Sequence, residues 1–144
     1  MNVLVTGGAG FIGRWVVAKL LADKHHVWVL DNLLNGHEEN LSEFISHKHF
    51  KDLVVGDYAD AKIYKKFQKV RMDKCFHLAA RVVVQDSLDK PMECFQNDVT
   101  GVMVLLEYLK KTHTGLVFVS SCMVYDLAKS KTKINENHPV KPAS

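Results

Sequence analysis

Gly7, Gly10 and Gly13 stand at every third position of the run Thr6-Gly7-Gly8-Ala9-Gly10-Phe11-Ile12-Gly13, directly after the apolar stretch Val3-Leu4-Val5. Glycines so placed let a strand turn tightly, bring bare backbone close to a ligand and pack a following helix against the sheet. A helix opening near Phe11 and Ile12 presents unpaired N–H groups and the positive end of its dipole, which together bind anions. The usual anion at such a turn is the pyrophosphate of a dinucleotide. Gly7, Gly10, Phe11, Ile12 and Gly13 are therefore candidate cofactor contacts.

Gly-rich turns also occur in plain hairpins, so the reading depends on the neighbouring elements. Val16, Val17, Leu20 and Leu21 recur at helical spacing, and Val27-Trp28-Val29-Leu30 forms a second strand that ends at Asp31. Asp31 lies 18 positions beyond Gly13, where an acidic side chain accepts hydrogen bonds from the adenosine ribose hydroxyls. Its charge would repel a 2'-phosphate, and neither Asn32 nor Leu33 is basic. The residues favour NAD over NADP, with Arg14 in the first helical turn keeping NADP open. The bland alternative is a βαβ unit that holds no ligand.

The elements needed to position these residues fit one domain. The chain has 144 residues, 47% hydrophobic and 24% charged, with a net charge of +3, which is ordinary globular composition. The basic residues Lys62, Lys65, Lys66, Lys69, Arg71 and Lys74 are interrupted by Ile63, Phe67 and Val70, as on a solvated helix face. No nucleic-acid motif or stacking aromatic accompanies them. Cys75, Cys94 and Cys122 are widely spaced, without metal-ligand spacing to the histidines, and read as buried thiols. No metal site is expected. The sequence shows neither a signal peptide nor an apolar run near the ~18 residues of a membrane span, so a reducing cytoplasm is the expected compartment.

Strands and helices alternate along the rest of the chain. A short amphipathic helix is expected around Leu41, Phe44 and Ile45, and a third strand at Leu53-Val54-Val55 leading to Gly56-Asp57. A helix over about 60–70 precedes a fourth strand at 75–79, and a helix over about 92–111 feeds a fifth strand at 116–120. Strands apolar on both faces point to a doubly wound parallel α/β sheet covered on two sides. A reversal of strand order after the third strand would open a crevice at the carboxyl ends of strands one and four. The candidates there are residues 6–13, Asp31, Asp57, 77–81 and 120–124.

Several motifs in order resemble the extended short-chain dehydrogenases/reductases, in the branch of NAD-dependent epimerases and dehydratases that act on nucleotide sugars. They are Thr6 to Gly13, Asp31-Asn32-Leu33, Gly56-Asp57, His77-Leu78-Ala79-Ala80, Ser87 with Pro91, Asn97-Asp98-Val99-Thr100-Gly101, and Ser120-Ser121-Cys122-Met123-Val124-Tyr125. The resemblance implies a Rossmann fold whose NAD site includes Asn32, Asp57, Tyr58, Leu78, Ala79, Ala80, Asn97 and Ser120. Asp57 would accept from the adenine amino group, and the small side chains of Ala79 and Ala80 would admit the cofactor. Ser121 matches the catalytic Ser/Thr whose hydroxyl binds the sugar oxygen. His77 reads as a packed strand residue rather than a base. Two departures stand out: Asp126 replaces the glycine usual after Val-Tyr, and Asp98 falls where many members have asparagine, so that Asn97 serves one position earlier.

The general base of this family is the tyrosine of Tyr-x-x-x-Lys, whose lysine lowers the phenol's pKa from ~10. Tyr125 and Lys129 match that spacing but read as a decoy, because a working pair belongs one turn apart on a helix. Residues 136–144 resemble the stretch that precedes the catalytic helix, so residues 1–144 are expected to form an NAD-binding domain cut before that helix and before the substrate domain, and to be inactive alone. The resemblance further implies a nucleotide-sugar substrate and a homodimer formed through the helices after strands four and five. Alternatives are a reductase or hydroxysteroid-type dehydrogenase of the same superfamily, or a non-catalytic dinucleotide-binding module.

Overall fold

The computed structural model describes residues 1–81, 84–127 and 133–142. Five strands, β1 (Asn2–Thr6), β2 (His26–Asp31), β3 (Phe50–Val55), β4 (Lys74–His77) and β5 (Gly115–Phe118), form one parallel sheet in the order β3-β2-β1-β4-β5. Chain order reverses between β1 and β4, which is the switch point of a Rossmann sheet. Helix α1 (Phe11–Ala22) connects β1 to β2. Between β4 and β5 run α2 (Val84–Asp89), α3 (Pro91–Phe95), a π-helical segment (Gln96–Gly101) and α4 (Val102–Thr112).

Alternation along the strands divides the core in two. Val3 and Val5 of β1 join Val27 and Val29 of β2 against Val17, Leu20 and Leu21 of α1. Leu4 and Leu30 point the opposite way, into a cluster with Tyr64, Phe67, Met72, Leu105 and Leu109. Full burial of each such side chain stabilises by roughly 1.5–3 kcal/mol, so both layers anchor the central strands from which the site residues project.

Some local expectations need correction. Residues 60–70 hold a 3-10 helix, Ala61–Phe67, capped by Asp60, and a second 3-10 helix, Glu38–Phe44, stands near Leu41. The helix expected over 92–111 is three consecutive segments, with π geometry in the middle. β4 and β5 end at His77 and Phe118, two residues earlier than expected. The basic side chains from Lys62 to Lys74 are exposed. Only Cys75 is a buried thiol, whereas Cys94 is half-buried and Cys122 exposed. The sheet is not fully covered either, since Val55 on β3 and Val117 and Phe118 on β5 are exposed. Among the described residues no helix is long and apolar enough to cross a membrane, and no group of His, Cys, Asp and Glu could hold a metal ion.

Candidate functional site

At the carboxyl end of β1 the chain turns with Gly7 at a φ of 72°, a left-handed conformation that favours glycine. A Cβ at Gly7 would lie 2.7 Å from the Ala79 nitrogen, and one at Gly13 would lie 2.1 Å from the Gly7 oxygen. The turn is thus packed backbone to backbone, against the β4 exit on one side and α1 on the other. It opens into a solvent-facing groove with a cavity volume of about 100 Å³. Gly7 and Gly10 form one wall, Asp31 and Asn32 the next, and Leu78, Ala79 and Ala80 the opposite one, with Tyr58 and Asn97 completing it.

Asp31 is 7% exposed and ties two loops together. Its Oδ2 accepts from the Ala9 N–H at 3.0 Å and its Oδ1 from the Leu33 N–H at 2.9 Å. The second bond holds Leu33 in a left-handed conformation (φ 59°), a strain of the kind found at ligand sites. The Ala9 carbonyl accepts from Asn40 Nδ2 at 2.7 Å and from the His37 N–H at 3.2 Å. The loop after β2 is therefore clamped onto the glycine turn. Replacing Asp31 with alanine leaves the fully buried Ala9 N–H unpaired, which costs about 1–3 kcal/mol. We expect Asp31→Ala to lower the melting temperature and to weaken binding of NAD more than of NADP, as measured by thermal shift with each nucleotide.

A polar chain runs beneath the groove. His77, 2% exposed, has its Nδ1 2.6 Å from Thr6 Oγ1 and its ring packed between Tyr58 and Phe118. Burial pushes its pKa down to about 4, against a smaller upward pull from Asp98. The ring is neutral near pH 7 and is a packed strand residue, as the sequence implies. Because an unfolded histidine takes a proton near 6.5 and folded His77 resists until about 4, its contribution is complete above pH 6.5 and disappears as pH falls from 6.5 to 4. The linkage is on the order of 3 kcal/mol. Urea unfolding of His77→Gln should show a shallower loss of stability across that window than the parent protein.

The Tyr58 hydroxyl donates to the Asn97 main-chain carbonyl at 2.7 Å and accepts from Asn97 Nδ2 at 3.1 Å. Burial, with Asp98 and Asp57 nearby, pushes the phenol's pKa upward, so it remains a neutral part of the floor. Gly101 permits this packing, since a Cβ there would fall 2.8 Å from the Ala59 Cβ and 3.1 Å from the Tyr58 ring.

The remaining expected residues lie outside the groove wall. Phe11 and Ile12 are 83% and 60% exposed at the opening of α1, and Gly13 is buried beneath the turn. Asp57 is exposed and accepts from the Ala59 N–H. Ser120 and Ser121 follow β5 and are exposed, and Ser121 Oγ accepts from the Met123 N–H at 3.1 Å. Arg81, among the strand-end candidates, also lines the groove, as do Leu30, Leu34, Asn35, Gly36 and Gly56, which are not among the contacts the sequence suggests. The pair Asn35-Gly36 reads only as a turn, although a Cβ at Gly36 would meet Asp31 Oδ1 at 3.0 Å. Arg14, the cation that keeps NADP open, is paired with Glu43 at 2.6 Å. Tyr125 forms an isolated antiparallel bridge with Val140 and is not helical, and Lys129 lies outside the described residues.

Residues 4–144 match the family model described as GDP-mannose 4,6 dehydratase. The chain belongs to the NAD-dependent epimerase/dehydratase family. It is 39% identical over 129 residues to the UDP-glucose 4-epimerase of Pasteurella multocida, covering 87% of this chain and 38% of that protein. Among solved structures, Pal from Bacillus thuringiensis superposes with a TM-score of 0.92 at 48% identity, covering 100% of this chain and 46% of that one. The UDP-glucose 4-epimerase of Thermus thermophilus, solved in complex with NAD, gives a TM-score of 0.85 at 32% identity, covering 100% and 45%. This chain thus spans less than half the length of each of these relatives.

Proposed function

We propose that this chain is the NAD-binding part of a nucleotide-sugar epimerase or dehydratase that transiently oxidises a sugar hydroxyl and then restores the reducing equivalents. The observation that carries this reading is the groove at the switch point, where a turn that only glycine can occupy meets the buried carboxylate of Asp31. The residues fit NAD. The Gly7 and Gly10 N–H groups are bonded to the Leu30 and Gly7 carbonyls, so these glycines supply bare backbone that lets a pyrophosphate approach the N–H groups opening α1, and an acceptor stands at the end of β2 where ribose hydroxyls need one. Gly7, Gly10, Phe11, Ile12 and Gly13 would hold the pyrophosphate, Asp31 and Asn32 the adenosine ribose, and Asp57 and Tyr58 the adenine side. Leu78, Ala79, Ala80, Asn97 and Ser120 would line the remainder.

Bound NAD would supply an acceptor for a sugar hydride and the donor that returns it. The chain's own contribution to the chemistry is Ser121. Its oxygen is occupied as an acceptor by the Met123 N–H, so the hydroxyl proton is available to the sugar oxygen on which charge develops. Met92, Phe95, Val99, Met103 and Leu106 are exposed at intervals of three and four residues, and this apolar stripe supports a homodimer formed through that face.

The test is to incubate the enzyme that carries this NAD-binding part with NAD and UDP-glucose and follow the sugar by NMR. An epimer, or a dehydrated keto sugar, without net accumulation of reduced nucleotide supports the proposal. Stoichiometric accumulation of reduced nucleotide would instead identify a dehydrogenase that releases its cofactor each cycle.

A further inference from the structure

Asp98 stands where the family motif commonly has asparagine, and its Oδ1 receives two donors. The Arg81 N–H reaches it at 3.0 Å and Asn97 Nδ2 at 2.7 Å. An oxygen that already accepts from a backbone N–H can be approached by Asn97 only through the NH2 end of its carboxamide. The Tyr58 hydroxyl enforces the same direction. Its proton is committed to the Asn97 main-chain carbonyl, so it can meet the Asn97 side chain only as an acceptor, and Nδ2 donates to it at 3.1 Å.

Both side-chain N–H bonds of Asn97 are therefore consumed inside the protein, while Asn97 itself lines the groove. We propose that Asp98 is a positioning residue that locks the Asn97 carboxamide in one orientation, so that the group offered to a ligand is an acceptor, the carbonyl oxygen, matched to a hydroxyl. The same carboxylate oxygen pins the Arg81 peptide, joining the exit of β4 to the π-helical segment. The π geometry places consecutive residues, Asn97 and Asp98, at this junction, in keeping with the occurrence of π segments at functional sites. The ligand consequence rests on the proposed dinucleotide reading. The lock itself does not.

Two measurements separate them. In ligand-free protein, NMR should find the Asn97 side-chain NH2 protected from solvent exchange in the parent and in Asp98→Asn, whose amide oxygen can accept from both donors. Protection should be lost in Asp98→Ala. Equal, fast exchange in the parent would overturn the lock. In NAD titrations, Asn97→Ala and Asp98→Ala should each raise the Kd about 3- to 10-fold, the size of one hydrogen bond. The double variant should be no weaker than Asn97→Ala alone, and Asp98→Asn should stay near the parent value. Multiplying effects in the double variant, or an unchanged Kd in Asp98→Ala, would refute a role through Asn97. A protected amide in a protein that fails to bind NAD would keep the lock and refute the dinucleotide reading.

Discussion

Gly13→Ala is expected to abolish NAD-dependent stabilisation and to lower the melting temperature of the free protein by roughly 6–12 °C. A methyl group at this position would sit 2.1 Å from the Gly7 oxygen and 2.7 Å from the Gly8 Cα. The obstacle is backbone on both sides, so no rotamer change relieves it, and α1 must move away from the turn. Displacing a packed helix costs about 3 kcal/mol or more. The same movement shifts the N–H groups that would face the pyrophosphate. Gly10→Ala is the internal comparison, because its Cβ would lie 3.2 Å from the Gly7 oxygen, a contact that a few tenths of an ångström relieve. Differential scanning fluorimetry with and without NAD reads both effects, and a Gly13→Ala protein that melts and binds like the parent would refute the proposed packing.

Ser121→Ala, made in the enzyme that carries this NAD-binding part, should lower kcat for the sugar reaction by about 100-fold, the typical effect of removing one donor aimed at a developing charge, while leaving NAD affinity within a factor of two or so. Ser121 is exposed and caps a three-residue 3-10 helix, its side chain accepting from the Met123 N–H, so its loss costs little stability. Ser121→Thr keeps the hydroxyl and should recover most of the rate. Steady-state kinetics on the three proteins decide the matter. An alanine variant as fast as the parent would remove Ser121 from the chemistry.

The parts of the fold that are readable from sequence are those in which one short segment carries its own reason. Val3, Leu4 and Val5 are apolar because β1 is central and buried on both faces, so the strand is visible without knowing its neighbours. Gly7 and Gly13 are legible because no other residue fits the turn. The 3-10 helix Ala61–Phe67 reads as α-helical in sequence because its buried residues Tyr64 and Phe67, three positions apart, fit a period of three and one of 3.6 alike over so short a segment. The burial of a cysteine depends on what packs over it, and nothing adjacent to Cys94 or Cys122 reveals that. Tyr58 and Asn97 are 39 residues apart, and Arg81 and Asp98 are 17 apart. Only the folded chain brings these pairs together, so motif order can name Asn97 but not its orientation.

Isothermal titration of the purified protein with NAD and NADP, after removal of any co-purified nucleotide, tests the central claim most directly. The expected result is one site per chain that prefers NAD, with the preference reduced in Asp31→Ala and binding lost in Gly13→Ala. Saturation at a hundred times the Kd should also add about 2.7 kcal/mol of stability. Absence of binding by either nucleotide, or equal binding by the parent and Gly13→Ala, would contradict the account.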